Sequence, residues 1–324
     1  MIIPALRTGA RVLICALALL VFAAGPAKTA DLQPVRVGVL PNDDMVAVLY
    51  AQQTGMFKAA GLDVTIDKSS PNGSAIATAV LAGSYDIGKA SITTMFDAHL
   101  HGVPYWIIGT AALYQASKPY VGFFVPIDSP IKTTKDLGTG TTAVSFIHDL
   151  AELAVYKAMD EAGLDYKSSQ FVELPMSASA AAVDSKRVTA GEASYPVLEA
   201  AMSTGKYRFI PAYNEFGKEY IFSVWFVTQD FAKKHADIVK TFARVEAAAA
   251  RYTNSHPKDT EAMLAAFSGI PQATIAQMPR VTNGTSVYAS GIQPLIDTEA
   301  KYGFITHGFP ATDIIDPDVL AKGP

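Results

Sequence analysis

The chain has 324 residues, of which 50% are hydrophobic and 17% charged, and its 26 basic and 30 acidic side chains leave a formal net charge of −4 at pH 7. A modestly acidic balance argues against nucleic acid or an anionic membrane surface as a partner. The single cysteine, Cys15, rules out a disulfide framework, a multi-thiolate metal site and, beyond that position, a cysteine nucleophile.

The first 30 residues read as an export signal. Arg7 and Arg11 precede an apolar run over 12–24, and the small residues of 25–30 follow, which is the order of a secretory leader and too short a run for a mature span. The alternative is an uncleaved signal anchor. Cleavage after Ala27 or Ala30 fits, with Asp31 the expected first mature residue. Cys15 follows Leu13-Ile14, not a lipobox. Losing Arg7, Arg11 and Lys28 takes the charge from −4 to −7. Residues 31–324 suffice for two lobes, each with its own core.

From there short apolar runs alternate with helix-period segments. Residues 35–40, 64–67, 85–88 and 106–109 read as strands, and 44–57, 74–82 and 92–101 as helices, with Val46, Leu49 and Tyr50 on one face of the first. The pattern resumes with strands over 120–125, 142–145 and 171–174, helices over 148–162 and 178–189, and a strand over 207–210. A broken extended segment over 221–228 precedes a long alanine-rich helix over 231–252. Shorter helices punctuated by Gly269, Pro271, Pro279 and Gly284 complete the chain. Strand, helix, strand at this spacing predicts right-handed crossovers and mainly parallel sheets. Two polar stretches, 115–119 and 214–223, suit crossings between lobes. The expected organisation is a leader over 1–30, a discontinuous first lobe over 31–117 and 224–324, and a continuous second lobe over 118–223, with ligand in the crevice outside the strand carboxyl ends.

The runs Val35-Arg36-Val37-Gly38-Val39-Leu40 and Ala51-Gln52-Gln53-Thr54-Gly55-Met56-Phe57, continuing to Gly61-Leu62-Asp63-Val64, are similar to the opening of the substrate-binding proteins of ABC importers of the nitrate, sulfonate and taurine group, which includes binders of thiamine pyrimidine precursors. Leu81-Ala82-Gly83-Ser84-Tyr85-Asp86-Ile87-Gly88 resembles that group's second helix and third strand, and residues 128–138 resemble the segment that opens its second lobe. The likeness spans nearly the whole mature chain. It implies a two-lobed type II periplasmic binding fold that closes on a small molecule and delivers it to an inner-membrane ABC permease with its ATPase.

Candidate ligand residues follow from position. After the first strand come Asn42, Asp43 and Asp44, of which one acid is expected to cap the helix while the other, with Asn42, reaches ligand. Asn72 and Gly73 open the next helix, where free amides accept an anion or an ordinary cap forms. Lys89, Ser91 and Thr93 follow the third strand; Lys89 is either solvated or the partner of a negative ligand. In the second lobe Ser145, Phe146 and His148 precede a strongly periodic helix that Asp149 and Glu152 suit as a capping box. Ser194-Tyr195 stands where many members of the resembled group carry an aspartate-alanine pair, whereas the later glutamate, Glu199, is kept. Tyr195 and Tyr114, with Phe146 and Trp225, are candidates to face a flat ligand or to pack in the core.

No G-x-S-x-G elbow, Walker lysine loop or H-E-x-x-H motif occurs, and His99 and His101 fall on different helix faces. No catalytic residue, metal or cofactor is expected. The resemblance implies capture of a small organic anion, a sulfonate or carboxylate, by a periplasmic monomer. The shortage of arginine in the loops and the presence of Asp43, Asp44 and Asp149 support the alternative, a neutral or cationic heteroaromatic such as a pyrimidine precursor. A secreted enzyme or a sensory receptor on the same fold is the competing class.

Overall fold

A computed structural model describes residues 1–2 and 31–323. All but the first two residues of the expected leader lie outside the described residues, as does Pro324. The first strand, β1 (Gln33–Gly38), places the β-branched Val35 and Val37 in the interior. It pairs in parallel with β2 (Leu62–Asp67) and β3 (Ile87–Ser91). Between them run helices α1 (Val46–Gln53), α2 (Met56–Ala59) and α3 (Gly73–Leu81), and after β3 comes α4 (Ile92–Leu100). The single helix expected over 44–57 is a 3₁₀ turn at Asp43–Met45 followed by two helices, because Gly55 takes a left-handed φ of 78° between them. The long strand β4 (Tyr105–Gln115) ends the first run.

The chain then passes to a second sheet through β5 (Val121–Pro126), β6 (Thr141–Val144), α5 (Leu150–Glu161), β7 (Gln170–Glu173), α6 (Met176–Asp184), β8 (Ala190–Ser194), α7 (Val197–Met202) and β9 (Tyr207–Ile210). It returns through β10 (Glu219–Thr228). The long helix expected over 231–252 breaks at His235 into α8 (Gln229–Lys234) and α9 (Ala236–Ser255), and α10 (Glu261–Ser268), α11 (Gln272–Ile275) and α12 (Gln293–Tyr302) follow.

The strand orders are β2-β1-β3-β10-β4 and β7-β6-β8-β5-β9, so the two sheets share one plan. In each, four strands run one way, and the strand laid down immediately after a crossing, β10 or β5, runs antiparallel to both neighbours. Residues 219–223 pair with β4 and β3 of the first sheet, although the sequence pattern groups them with the second lobe. The two crossings lie side by side: the Ala116 amide donates to the Lys218 carbonyl at 2.9 Å, and the Tyr114 hydroxyl to Asn214 Oδ1 at 2.8 Å.

One face of the first sheet is covered by α1 and α9, where Phe57 and Trp225 both pack on Phe242 at ring separations of 5.2 and 5.7 Å. Fully burying such side chains contributes about 2 kcal/mol each. The other face is covered by α3 and α4. These layers hold the carboxyl ends of β1 and β3, and in the second sheet the end of β6, as rigid supports for the loops that follow.

Candidate ligand-binding site

Loops from both sheets line a cavity of about 360 Å³, within the size range of small-molecule sites. The first wall comes from β1. Beyond Leu40 the 3₁₀ turn sends its two acids in opposite directions. Asp43 is fully buried and grips Arg280, whose Nη2 donates at 2.6 Å and whose Nε lies 3.0 Å from both carboxylate oxygens, while the Val281 amide donates at 2.7 Å. Asp44 instead lines the cavity, receiving Lys89 Nζ at 2.5 Å and Ser223 Oγ at 2.8 Å. Asn283 fixes the turn from below, its side-chain amide donating to the Asp44 and Ala111 carbonyls. Asn42 lines the cavity as well, and its side chain caps nothing.

Asn72 accepts the Ala75 amide at 2.8 Å and so caps α3; Gly73 and Ser74, not Asn72, reach the cavity. At the start of α4 a chain of hydroxyls crosses the cleft. Ser91 Oγ lies 3.0 Å from Thr93 Oγ1, which donates at 2.8 Å to Asp149 Oδ1 at the start of α5. A donor relay ending on a carboxylate strengthens each bond in it.

The second wall is Ser145, Phe146, Ile147, His148 and Asp149. Asp149 occupies the N-cap of α5 and accepts the Leu150 amide, whereas the Glu152 carboxylate accepts the His148 amide, one residue earlier than a capping box requires. His148 is held at φ 61°, and its ring meets Phe304 edge-on at 5.5 Å. Left-handed non-glycine residues are uncommon and gather at ligand sites. Beneath them Glu192 of β8 accepts the Ser145 amide at 2.6 Å, Ser145 Oγ at 2.7 Å and the Tyr213 hydroxyl at 2.7 Å. Burial raises the Glu192 and Asp149 carboxyls above their ordinary values, against the hydrogen bonds they accept.

The C-terminal region closes the cavity with Glu299 of α12, Phe304 and Ile305. Glu299 is only 3% exposed, and its Oε1 has no hydrogen-bond partner among the described residues. Burial first, then the charges of Asp149 and Asp97, push its carboxyl up to about 9.

Of the residues expected at the site, Asn42, Asp44, Gly73, Lys89, Ser91, Thr93, Ser145, Phe146 and His148 line this one cavity. Lys89 is neither solvated nor free for an anion: it is buried and neutralised by Asp44. Asp43 and Asn72 are committed to Arg280 and the α3 cap. Tyr114 is fully buried in a cluster at the crossings, stacked on Tyr220 at 5.1 Å, because two adjacent connections leave an apolar gap that rings fill. Tyr195 and Glu199 sit where β8 leads into α7, away from the cavity, with the Tyr195 amide tied to the Tyr120 carbonyl; Trp225 is core. Sequence reasoning missed Glu192, Tyr213, Phe222, Ser223, Glu299 and Phe304. The only signal for Glu192 is a carboxylate among small residues, Ala190-Gly191-Glu192-Ala193-Ser194; Glu299 carries none.

The profile of the family described as NMT1/THI5 like matches residues 42–260, more than half of the chain. The chain belongs to this family. No curated protein sequence matches it. Among solved structures, the fold is shared with the periplasmic aliphatic sulphonate binding protein SsuA of Escherichia coli at 21% identity and TM-score 0.72, covering 89% of this chain and 98% of that one. The periplasmic nitrate-binding protein NrtA of Synechocystis PCC 6803 is similar at 12% identity and TM-score 0.76, covering 90% and 87%. The desulfurization enzyme DSZB aligns at 14% identity and TM-score 0.64, covering 88% and 97%. The likeness establishes the periplasmic-binding fold, which binding proteins and at least one enzyme use. Glu299 lies beyond the residues that the family profile matches.

Proposed function

We propose that this NMT1/THI5-like chain is the solute-capturing component of an ABC importer, acting as a periplasmic monomer and delivering its ligand to an inner-membrane permease with its ATPase. The observation that carries this reading is the convergence of both sheets on one cavity, bridged by the Thr93–Asp149 bond. In this reading the sheets are the cores of two lobes, residues 31–117 with 219–324 and residues 118–218, the boundary moved from 223 because residues 219–223 pair in the first sheet. Contacts from both walls exist together only when the lobes are shut, so ligand shifts a hinge equilibrium toward closure.

The cavity's charge bears on what is captured. Among the described residues Lys89 is the sole lysine or arginine lining it, and Asp44 already neutralises that side chain. Asp97, Asp149 and Glu192 face the same space, as does Glu299, whose carboxyl burial keeps protonated near neutral pH. This balance disfavours the sulfonate or carboxylate expected from the resemblance and favours a solute that is neutral or positive. Phe146, Phe222 and Phe304 add apolar faces. Binding without turnover suits a site whose histidine packs its ring against Phe304.

The test is thermal unfolding of residues 31–324 with taurine, nitrate, benzoate, benzamide, 4-aminopyrimidine and benzamidinium. A ligand at about 100 times its Kd adds about 2.7 kcal/mol of stability, and the bound compound is recovered unchanged. Stabilisation by none of them, or conversion of a bound compound, overturns the reading. Among the described residues no helix is long and apolar enough to cross a membrane.

A further inference from the structure

Among the cavity's groups Glu299 stands apart. A carboxyl that is 3% exposed normally has its oxygens satisfied, yet Glu299, a residue of the wall of a cavity roomy enough for a ligand, has in Oε1 a buried oxygen without a hydrogen-bond partner among the described residues. Among the described residues the other acids of the cavity have partners: Asp44 has Lys89 and Ser223, Glu192 has Ser145 and Tyr213, Asp97 has His101, and Asp149 takes Thr93 and Leu150 through Oδ1 alone. Among the described residues, the groups around Glu299 offer no free cation. Asp149, Glu152 and the uncharged relay residue Thr93 lie at the start of α5 and α4, and Asp97 lies on α4. On α12 itself Lys301 is turned away to Asp160 and Asp297 takes the Gln293 amide. His148 is occupied with the ring of Phe304.

Building on the reading of the cavity as a solute site, we propose that Glu299, with Asp149 beside it on the same cavity, is the seat of a positively charged nitrogen carried by a flat ring, and that binding exchanges one proton for the cation. The phenyl faces of Phe146, Phe222 and Phe304 favour such a ring both by area and by attraction to its charge. In the empty cavity the Glu299 carboxyl keeps its proton, since a lone buried carboxylate is costly. When the cation enters, the O–H bond breaks, the proton leaves to solvent, and the carboxylate is paired by the N–H donors of the ligand. Because the free protein must give up a proton to bind, affinity rises with pH until the empty-state carboxyl is itself ionised, which occurs near pH 9.

Benzamidinium, which stays charged throughout, tests this, with benzamide as its neutral counterpart. Calorimetry at pH 7 in phosphate and in Tris should give enthalpies that differ by close to one proton released per benzamidinium bound. Affinity should rise by up to about tenfold per pH unit between pH 7 and 8. Glu299→Gln copies the protonated side chain and should stay folded; it should lose at least about tenfold in benzamidinium affinity, release no proton, and bind benzamide as before. Asp149→Asn keeps a capping side chain and should weaken benzamidinium while leaving proton release intact, which provides a second route if the first variant misfolds. Benzamidinium that binds without releasing a proton, binds the Glu299→Gln variant equally well, or does not bind at all, overturns the proposal. If taurine or nitrate stabilises the protein instead, the solute-receptor reading survives while the cation seat falls; if nothing in the panel binds, both fall.

Discussion

Replacing Arg280 by leucine strips the guanidinium from Asp43 and leaves a fully buried carboxylate with the Val281 amide as its remaining donor. The geometry is bidentate, with Nη2 at 2.6 Å and Nε at 3.0 Å, and Arg280 also donates through Nη1 to the Pro257 carbonyl at 2.9 Å. Breaking a buried ion pair by removing one partner costs about 3–5 kcal/mol, mostly the desolvation of the charge left behind. At about 2–4 °C per kcal/mol for a chain of this size, the unfolding midpoint should fall by about 10 °C. Thermal and urea unfolding of residues 31–324 measure the loss. Asp43→Asn in the Arg280→Leu background should recover part of it, since no charge is then stranded, and the coupling between the two substitutions reads the pair directly. A loss below about 1 kcal/mol with no coupling would refute the argument that Asp43 is structural. Ligand affinity supplies the other half of the argument: Asp43→Asn should leave it unchanged and Asp44→Asn should not, because only Asp44 lines the cavity.

Three further outcomes are expected. Glu299 holds its proton up to about pH 9 when folded and up to about its ordinary 4.5 when unfolded; in that window the unfolded state binds fewer protons, so stability falls as pH rises, by up to about 1.4 kcal/mol per unit, and Glu299→Gln should flatten this slope in thermal scans from pH 5 to 9. Thr93→Val deletes the bond to Asp149, a charged acceptor worth about 1.5–3 kcal/mol, and should enlarge the ligand-free radius of gyration in small-angle scattering; an unchanged radius would mean that this bond does not hold the walls together. Gly191→Ala puts a Cβ 2.8 Å from the Phe124 ring and 2.9 Å from Ser179 Cβ, and the overpacking should cost about 1–3 kcal/mol in urea unfolding.

The alternation of strand and helix was legible because burial imposes period: β1, β2, β6 and β9 fall within a residue or two of where the apolar runs place them. β8 left no such pattern. It lies between β6 and β5 with both faces covered, and Gly191 must be small to admit Phe124; the result is a run of small residues that reads as a loop. The same blindness hid Glu192. The rule that ligands gather at strand carboxyl ends brought nine residues to one cavity, but it cannot tell which of two adjacent acids turns inward, since the partner that claims Asp43 is 237 positions away. Tyr114 and Tyr195 were left open between ligand and core for the converse reason, as aromatic character suits a packed crossing as well as a ligand, and neither lines the cavity. Glu299 was illegible because only the tertiary packing of α12 on α5 brings it to the site.

The decisive experiment is a co-crystal with the compound that most stabilises residues 31–324. One intact molecule should lie between Ser91 of the first wall and Phe146 of the second, within hydrogen-bonding reach of Glu299 or Asp149. Density for that molecule anywhere else on the protein, or an altered compound in the cavity, would contradict it.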